Sequence, residues 1–306
     1  MAHAGIHHVT AIAGDASGNL GFFARVLGMR LVKRTVNFDD PGAYHLYYGD
    51  EAGTPGTILT FFPWAGAQAG TPGAGELAET MLRVPRDSLG WWAERLRAHG
   101  AEAGERFGEP VVAFRDPDGL RLALVGVDGV AAEPVWGGGG VGAEHAIRGF
   151  HGVSLSLGDA GATAALLGNV FGYAEAGREA GAVRMRVGEA LGGVVDLRTV
   201  GAAAGPGLGR GSVHHLAFRA ADDAAQAAMV AVLARDHGVR ATGQRDRDYF
   251  RSVYFREPGG VLFEIATDAP GFAVDEDPGS LGAALKLPAF LQPHRARIEA
   301  ALPALA

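Results

Sequence analysis

Apolar residues along this chain come in short runs. Alternation marks strands: Val183, Met185 and Val187 are separated by Arg184 and Arg186, the period-2 pattern of a half-buried strand. Stretches with helical spacing run over 19–27, 88–99, 163–171 and 222–237. The first and third close at Gly28 and Gly172, the usual helix stop. A further helix is predicted over 293–302. No apolar stretch approaches the roughly 18–20 residues of a membrane-spanning helix, so no membrane partner is expected.

These elements recur in the same order. Ile6-His7-His8-Val9-Thr10 matches Phe150-His151-Gly152-Val153-Ser154, and Asp15 and Asp159 each fall nine residues after the start of the match. Phe114-Arg115-Asp116-Pro117-Asp118-Gly119 matches Phe255-Arg256-Glu257-Pro258-Gly259-Gly260, and each turn leads into an apolar run. The chain therefore divides into four units at roughly 5–63, 76–127, 148–200 and 211–268. Each opens with a strand, passes through one helix and ends in several short strands, an α+β plan. Units 1 and 2 form an N-terminal half, 1–135, and units 3 and 4 a C-terminal half, 148–268. The Gly-rich stretch at 136–147 has linker composition, and 269–306 is a tail containing Asp275, Glu276 and Asp277.

Composition narrows the chemistry. At 306 residues with 48% hydrophobic and 20% charged residues, the chain is globular, with room for two domains. The net charge of −7 speaks against nucleic-acid binding. With no cysteine, disulfides, thiolate metal sites and a thiol nucleophile are excluded. The N-terminus has neither a basic region nor an apolar signal core, so a cytoplasmic location is expected. A homo-oligomer is compatible with all of this.

Positions that break the repeat are where function can have been added. His8 stands in unit 1 where unit 3 has Gly152. Unit 4 opens with a second pair, His214-His215, and Thr80 is expected at the corresponding place in unit 2. In the last strands, Glu264 of unit 4 faces Ala123 of unit 2 and Thr60-Phe61 of unit 1 in the alignment. Glu264 lies between Phe263 and Ile265, so it is either an edge residue facing solvent or a buried carboxylate that needs a partner. His8 or His215 alone would be an ordinary structural histidine. Together, two imidazoles and one carboxylate make the set that binds a non-haem Fe(II) with coordination positions left open. Convergence requires that unit 1 pack against unit 4.

Alternation bears on the neighbours. If His8 and His215 face a metal, His7 and His214 face away unless a bulge turns them. His151 at the place of His7, with no second histidine after it, favours a structural role for His7. Thr10 shares the face of His8. Arg247, in Arg245-Asp246-Arg247-Asp248, reads as a solvated charge cluster, and Tyr254 as an amphipathic strand residue. His45 reads as structural.

The four-unit order, the placement of His8, His215 and Glu264, and the block from Asp246 to Asp268 resemble the vicinal oxygen chelate superfamily. That superfamily contains glyoxalase I, extradiol dioxygenases and fosfomycin-resistance proteins. The segments Gly5–Gly14 and Pro55–Trp64 and the Leu285-Lys286-Leu287-Pro288 tail are most similar to bacterial ring-cleaving dioxygenases of the hydroquinone 1,2-dioxygenase type. The resemblance implies βαβββ modules forming two curved mixed-sheet cups. It implies His8, His215 and Glu264 as ligands of Fe(II) or Mn(II). It places His7, Thr10, His214, Arg247 and Tyr254 around an aromatic diol cleaved with O2. The rival it leaves is a glyoxalase-like isomerase or lyase, whose site supplies four protein ligands. A non-enzymatic binding module would lack the full triad.

Overall fold

The protein is described here from a computed structural model covering residues 4–189 and 191–305. Met1–His3, at the start of the predicted N-terminal half, and Ala306, at the end of the tail, lie outside the described residues. Each unit supplies four strands. Unit 1 holds β1 (Ile6–Ala13), β2 (Arg30–Asn37), β3 (Asp40–Gly49) and β4 (Ile58–Pro63). Unit 2 holds β5 (Glu76–Pro85), β6 (Glu102–Arg106), β7 (Glu109–Arg115) and β8 (Arg121–Val127). Unit 3 holds β9 (Phe150–Leu157), β10 (Ala174–Glu179), β11 (Ala182–Arg186) and β12 (Val194–Thr199). Unit 4 holds β13 (Val213–Ala220), β14 (Arg245–Asp246), β15 (Arg251–Arg256) and β16 (Leu262–Thr267).

After each opening strand comes the expected helix: α1 (Ala16–Leu20), α2 (Leu89–Arg95), α3 (Gly161–Phe171) and α4 (Asp223–His237). Helix α1 widens into a π-helical turn over Gly21–Val26. Helices α1 and α4 are N-capped by Asp15 and Asp222, whose carboxylates accept from Gly18 N and Ala225 N. The tail ends in α5 (Arg295–Ala301). No helix among the described residues is long and apolar enough to cross a membrane.

The strands form two curled eight-stranded mixed sheets, an α+β fold. One has the order β14-β15-β16-β13-β1-β4-β3-β2, the other β10-β11-β12-β9-β5-β8-β7-β6. Within each unit the opening strand pairs in parallel with the last, as β1 with β4 and β13 with β16. Opening strands of two units then pair antiparallel at the centre of each sheet, β1 with β13 and β5 with β9. The first sheet thus joins unit 1 to unit 4, and the second joins unit 2 to unit 3.

Each central strand carries a bulge at the same place. Register slips between Ile6 and His8, between Thr10 and Ala11 opposite His215 and Val213, between Leu77 and Glu79, and between Leu82 and Met81 opposite Phe150 and Gly152. The extra residues are His7, His214, Ala78 and His151. The bulges show in the apolar pattern: the core residues Ile6 and Val9, and likewise Phe150 and Val153, are three apart where strict alternation gives two or four. Val9, Ala11, Leu46, Tyr48, Leu59 and Phe61 pack with Phe22 and Phe23 in the main core. The opposite phase, including His8, Thr10, Tyr47 and Thr60, turns to the other side of the sheet.

The tail straps this first sheet. The fully buried Lys33 of β2 pairs with Asp275 at 2.6 Å and with Glu276. Its ammonium lies 4.8 Å from the ring centroid of Tyr249, whose hydroxyl donates to Asp275 at 3.2 Å.

Candidate active site

Register alone brings the candidate ligands together. On the central pair, Val9 lies opposite Leu216, with His8 opposite Ala217 on one side and Thr10 opposite His215 on the other. Ala217 pairs in parallel with Glu264, and Thr10 with Thr60. A local two-fold through the Val9–Leu216 pair therefore relates His8 to His215 and Thr60 to Glu264. All four side chains share one face. Of the two residues aligned with Glu264 in unit 1, Thr60 is the true counterpart.

His8, His215 and Glu264 are buried, and their ligand atoms cluster. His215 Nε2 lies 3.0 Å and His8 Nε2 3.4 Å from Glu264 Oε2, and the two Nε2 atoms are 3.3 Å apart. Glu264 Oε1 accepts from the hydroxyl of buried Ser252, while Oε2 has no hydrogen-bond donor. His8 Nδ1 lies 2.9 Å from His7 Nδ1, and His215 Nδ1 lies 2.8 Å from His214 Nδ1. With the ligand histidines donating from Nδ1, both Nε2 atoms present lone pairs. In that tautomer three electron-rich atoms meet at one point, which a divalent cation would satisfy.

A positive charge at this point is favoured. Burial pushes the Glu264 carboxyl up, but the His8 and His215 imidazoles, as cations and hydrogen-bond donors, outweigh it and hold the group well below the usual range. Burial lowers His215, with Glu264 pulling it back up. Burial, with the adjacent ligand histidine, takes His7 and His214 down to about 3.

Beside the cluster lies a cavity of about 180 Å³. His8, His215, His214, Arg247 and Tyr254 line it, together with His45, Tyr47, Phe62, Phe250 and the hairpin tip Asn37, Phe38 and Asp39. Phe250 lies over His8 with ring centroids 5.0 Å apart, and Phe62 meets the edge of His214 at 5.6 Å. Arg247 Nε donates to the Tyr254 hydroxyl at 3.3 Å, and another guanidinium nitrogen pairs with Asp39 at 3.1 Å. Burial lowers the Arg247 pKa, but Tyr254 and Asp39 raise it further, so the side chain stays charged. Burial raises the Tyr254 phenol.

The bulges explain the two histidine pairs. His214 lines the cavity, whereas His7 stands behind His8, its ring 5.0 Å from Phe250. Thr10 also stays off the cavity wall, accepting from Thr60 Oγ1 at 2.9 Å. The solvated reading of Arg247 is overturned, since its side chain is 18% exposed and faces the cavity. His45 is not merely structural either: it lines the cavity, with Thr60 Oγ1 at 2.8 Å from Nε2 and the Tyr47 hydroxyl at 2.8 Å from Nδ1. Its place two residues from Tyr47 on β3 was the available signal. Asp39, Phe250 and Ser252 left no comparable mark, because their roles arise from contacts between units.

The second sheet repeats the geometry without the ligands. Glu79 lies opposite Ser154, and Met81 opposite Gly152 and Ala123. The residue at the place of His215 is therefore Glu79 rather than Thr80, because the bulges at Ala78 and His214 coincide and Thr80, opposite Val153, stands at the place of Leu216. The four positions are Gly152, Glu79, Ala123 and Asp196. Both carboxylates are taken: Glu79 by Arg106, and Asp196 by a two-pronged Arg184 at 2.8 Å. A Cβ at Gly152 would lie 2.1 Å from Val194 O, so no side chain fits there.

A curled pair of sheets with a histidine–carboxylate cluster between the first and last units defines a class. The chain belongs to the Glyoxalase/Bleomycin resistance protein/Dioxygenase superfamily, which it matches over residues 5–124 and 149–265. Among individual proteins, it is 47% identical over 300 residues to Bacillus subtilis "Putative ring-cleaving dioxygenase MhqO", covering 97% of this chain and 95% of that one. It is 34% identical over 292 residues to the chlorohydroquinone/hydroquinone 1,2-dioxygenase of Sphingobium indicum, covering 92% and 91%. A crystal structure titled as a putative dioxygenase from Bacillus subtilis superposes with a TM-score of 0.94 at 45% identity, over 100% of this chain and 99% of that one.

Proposed function

We propose that the protein is a metal-dependent ring-cleaving dioxygenase. His8, His215 and Glu264 would hold a divalent metal, Fe(II) or Mn(II). The adjoining cavity would take an aromatic diol, of hydroquinone type or a catechol, with O2 as the second reactant. The observation that carries this is the cluster beside the cavity: two imidazole nitrogens and a carboxylate oxygen within 3.4 Å of one another, next to a wall of aromatic rings. The hydroquinone dioxygenase relative supports the 1,4-diol.

Thr60 favours this over a glyoxalase-like reaction. It occupies the place related to Glu264, and its hydroxyl is engaged with Thr10 and His45. Three protein donors leave positions for two small reactants, whereas a fourth would close one. A metal bound here supplies Lewis acidity toward a ring hydroxyl and one-electron chemistry toward O2.

The chain's own residues do the rest. His7 and His214 fix the rings of His8 and His215 through Nδ1. His214, neutral and on the wall, has its Nδ1 taken by His215 and donates from Nε2–H to a substrate oxygen. Tyr254, kept protonated by burial, donates to a substrate oxygen. Arg247 stabilises negative charge that develops on the ring oxygens. Phe62 and Phe250 hold the ring plane and exclude water.

The test is O2 uptake with methylhydroquinone after anaerobic loading with Fe(II) or Mn(II). Uptake is expected in the parent and lost in Glu264→Ala together with bound metal. No uptake, with isomerisation of a methylglyoxal–thiol adduct under Ni(II), would overturn the assignment. So would a Glu264→Ala variant with full metal content and turnover.

A further inference from the structure

Asp39 has no part in the chemistry above, yet it lines the same cavity. It sits at the tip of the hairpin joining β2 to β3, where its backbone N–H donates to Asn37 Oδ1 at 3.0 Å. The carboxylate reaches across to unit 4. Its Oδ2 accepts from Arg247 at 3.1 Å, and its Oδ1 lies 3.9 Å from an Arg245 nitrogen. Arg247 is 18% exposed and Asp39 65% exposed, so the pair spans the mouth with the cation inside and the anion outside. Both arginines also approach the ring of Tyr254, at 5.5 and 6.0 Å from its centroid. Among the described residues lining the cavity, Arg247 and Asp39 are the acidic or basic ones besides the histidines.

We infer that Asp39 determines substrate specificity: by neutralising Arg247 at the mouth, it selects uncharged ring diols against diols that carry a carboxylate. This rests on the ring-diol reading of the site. A guanidinium lining an aromatic cavity would otherwise bind a ring carboxylate in a strong charge-assisted contact. With Asp39 in place, such a substrate must displace the internal carboxylate and also meets its repulsion. A neutral hydroquinone hydroxyl needs only a donor that Arg247 does not spend on Asp39.

The experiment is oxygen-free titration calorimetry of the metal-loaded protein with methylhydroquinone and with 2,5-dihydroxybenzoate. Asp39→Asn is expected to tighten 2,5-dihydroxybenzoate at least about tenfold relative to methylhydroquinone, the scale of one partly shielded charge contact. Asp39→Glu should keep the parent ratio, and adding Arg247→Met to Asp39→Asn should remove the gain. An unchanged ratio in Asp39→Asn, with methylhydroquinone still bound, would overturn the inference and leave the ring-diol reading standing. Failure of the parent to bind either ring would overturn that reading and this inference with it. Asp39 is an exposed hairpin residue, so thermal melts of the variants should match the parent and exclude misfolding as a cause.

Discussion

One hydroxyl decides which oxygen of Glu264 is free. Ser252, fully buried on β15, donates to Oε1 and leaves Oε2 facing His8 and His215. Removing such support around a metal ligand commonly costs about 10–100-fold in affinity. Ser252→Ala should therefore weaken metal binding by about that factor while the fold persists, as read by metal titration beside circular dichroism. An unchanged affinity would mean that strand geometry alone orients Glu264. At this scale much of the site was legible. Two imidazoles and a carboxylate at repeat-breaking positions pointed to the candidate metal set that the fold brings together. Ser252 and Asp39 were not legible, since a serine in a strand and an aspartate in a turn are ordinary until their partners are known.

At the scale of the element, the β-bulge is the device that matters. Four central strands carry it, and in the first sheet it lets neighbouring histidines meet edge to edge instead of facing opposite ways. In the second sheet the same bulge holds His151, 3.0 Å from Glu109. Burial pushes the Glu109 carboxyl up, but His151 and Arg184 outweigh it and hold it at about 2. Its ordinary value is 4.5, so the folded value is depressed. The resulting stability is present above pH of about 4.5 and is lost as pH falls toward about 2. Glu109→Gln should therefore lower the melting temperature at pH of about 7, and the gap to the parent should narrow by pH of about 3. Thermal melts of both proteins at the two values check this. A gap that widens in acid would contradict the assigned sign.

At the scale of the whole molecule, the order along the chain and the order in space differ. Each sheet draws one unit from either side of the Gly-rich linker, so each half alone would expose two long unpaired strand edges. Fragments 1–140 and 141–306 expressed separately should lack cooperative unfolding, while coexpressed they should associate and recover it. Calorimetry with size-exclusion chromatography checks this. Two fragments that each melt cooperatively as monomers would show that each half folds by itself.

The sequence by itself determined the four units, their helices, the α+β plan and the three candidate ligands, because these rest on local periodicity and on which residue type breaks a repeat. Only the tertiary structure decided that unit 1 pairs with unit 4. It also decided that Thr60 is the counterpart of Glu264, that Glu79 rather than Thr80 stands for His215, and that Asp39 reaches Arg247. Each of these depends on strand register. A one-residue bulge changes which side chains share a face, and register is set by pairing between segments some 200 residues apart, as His8 with Ala217.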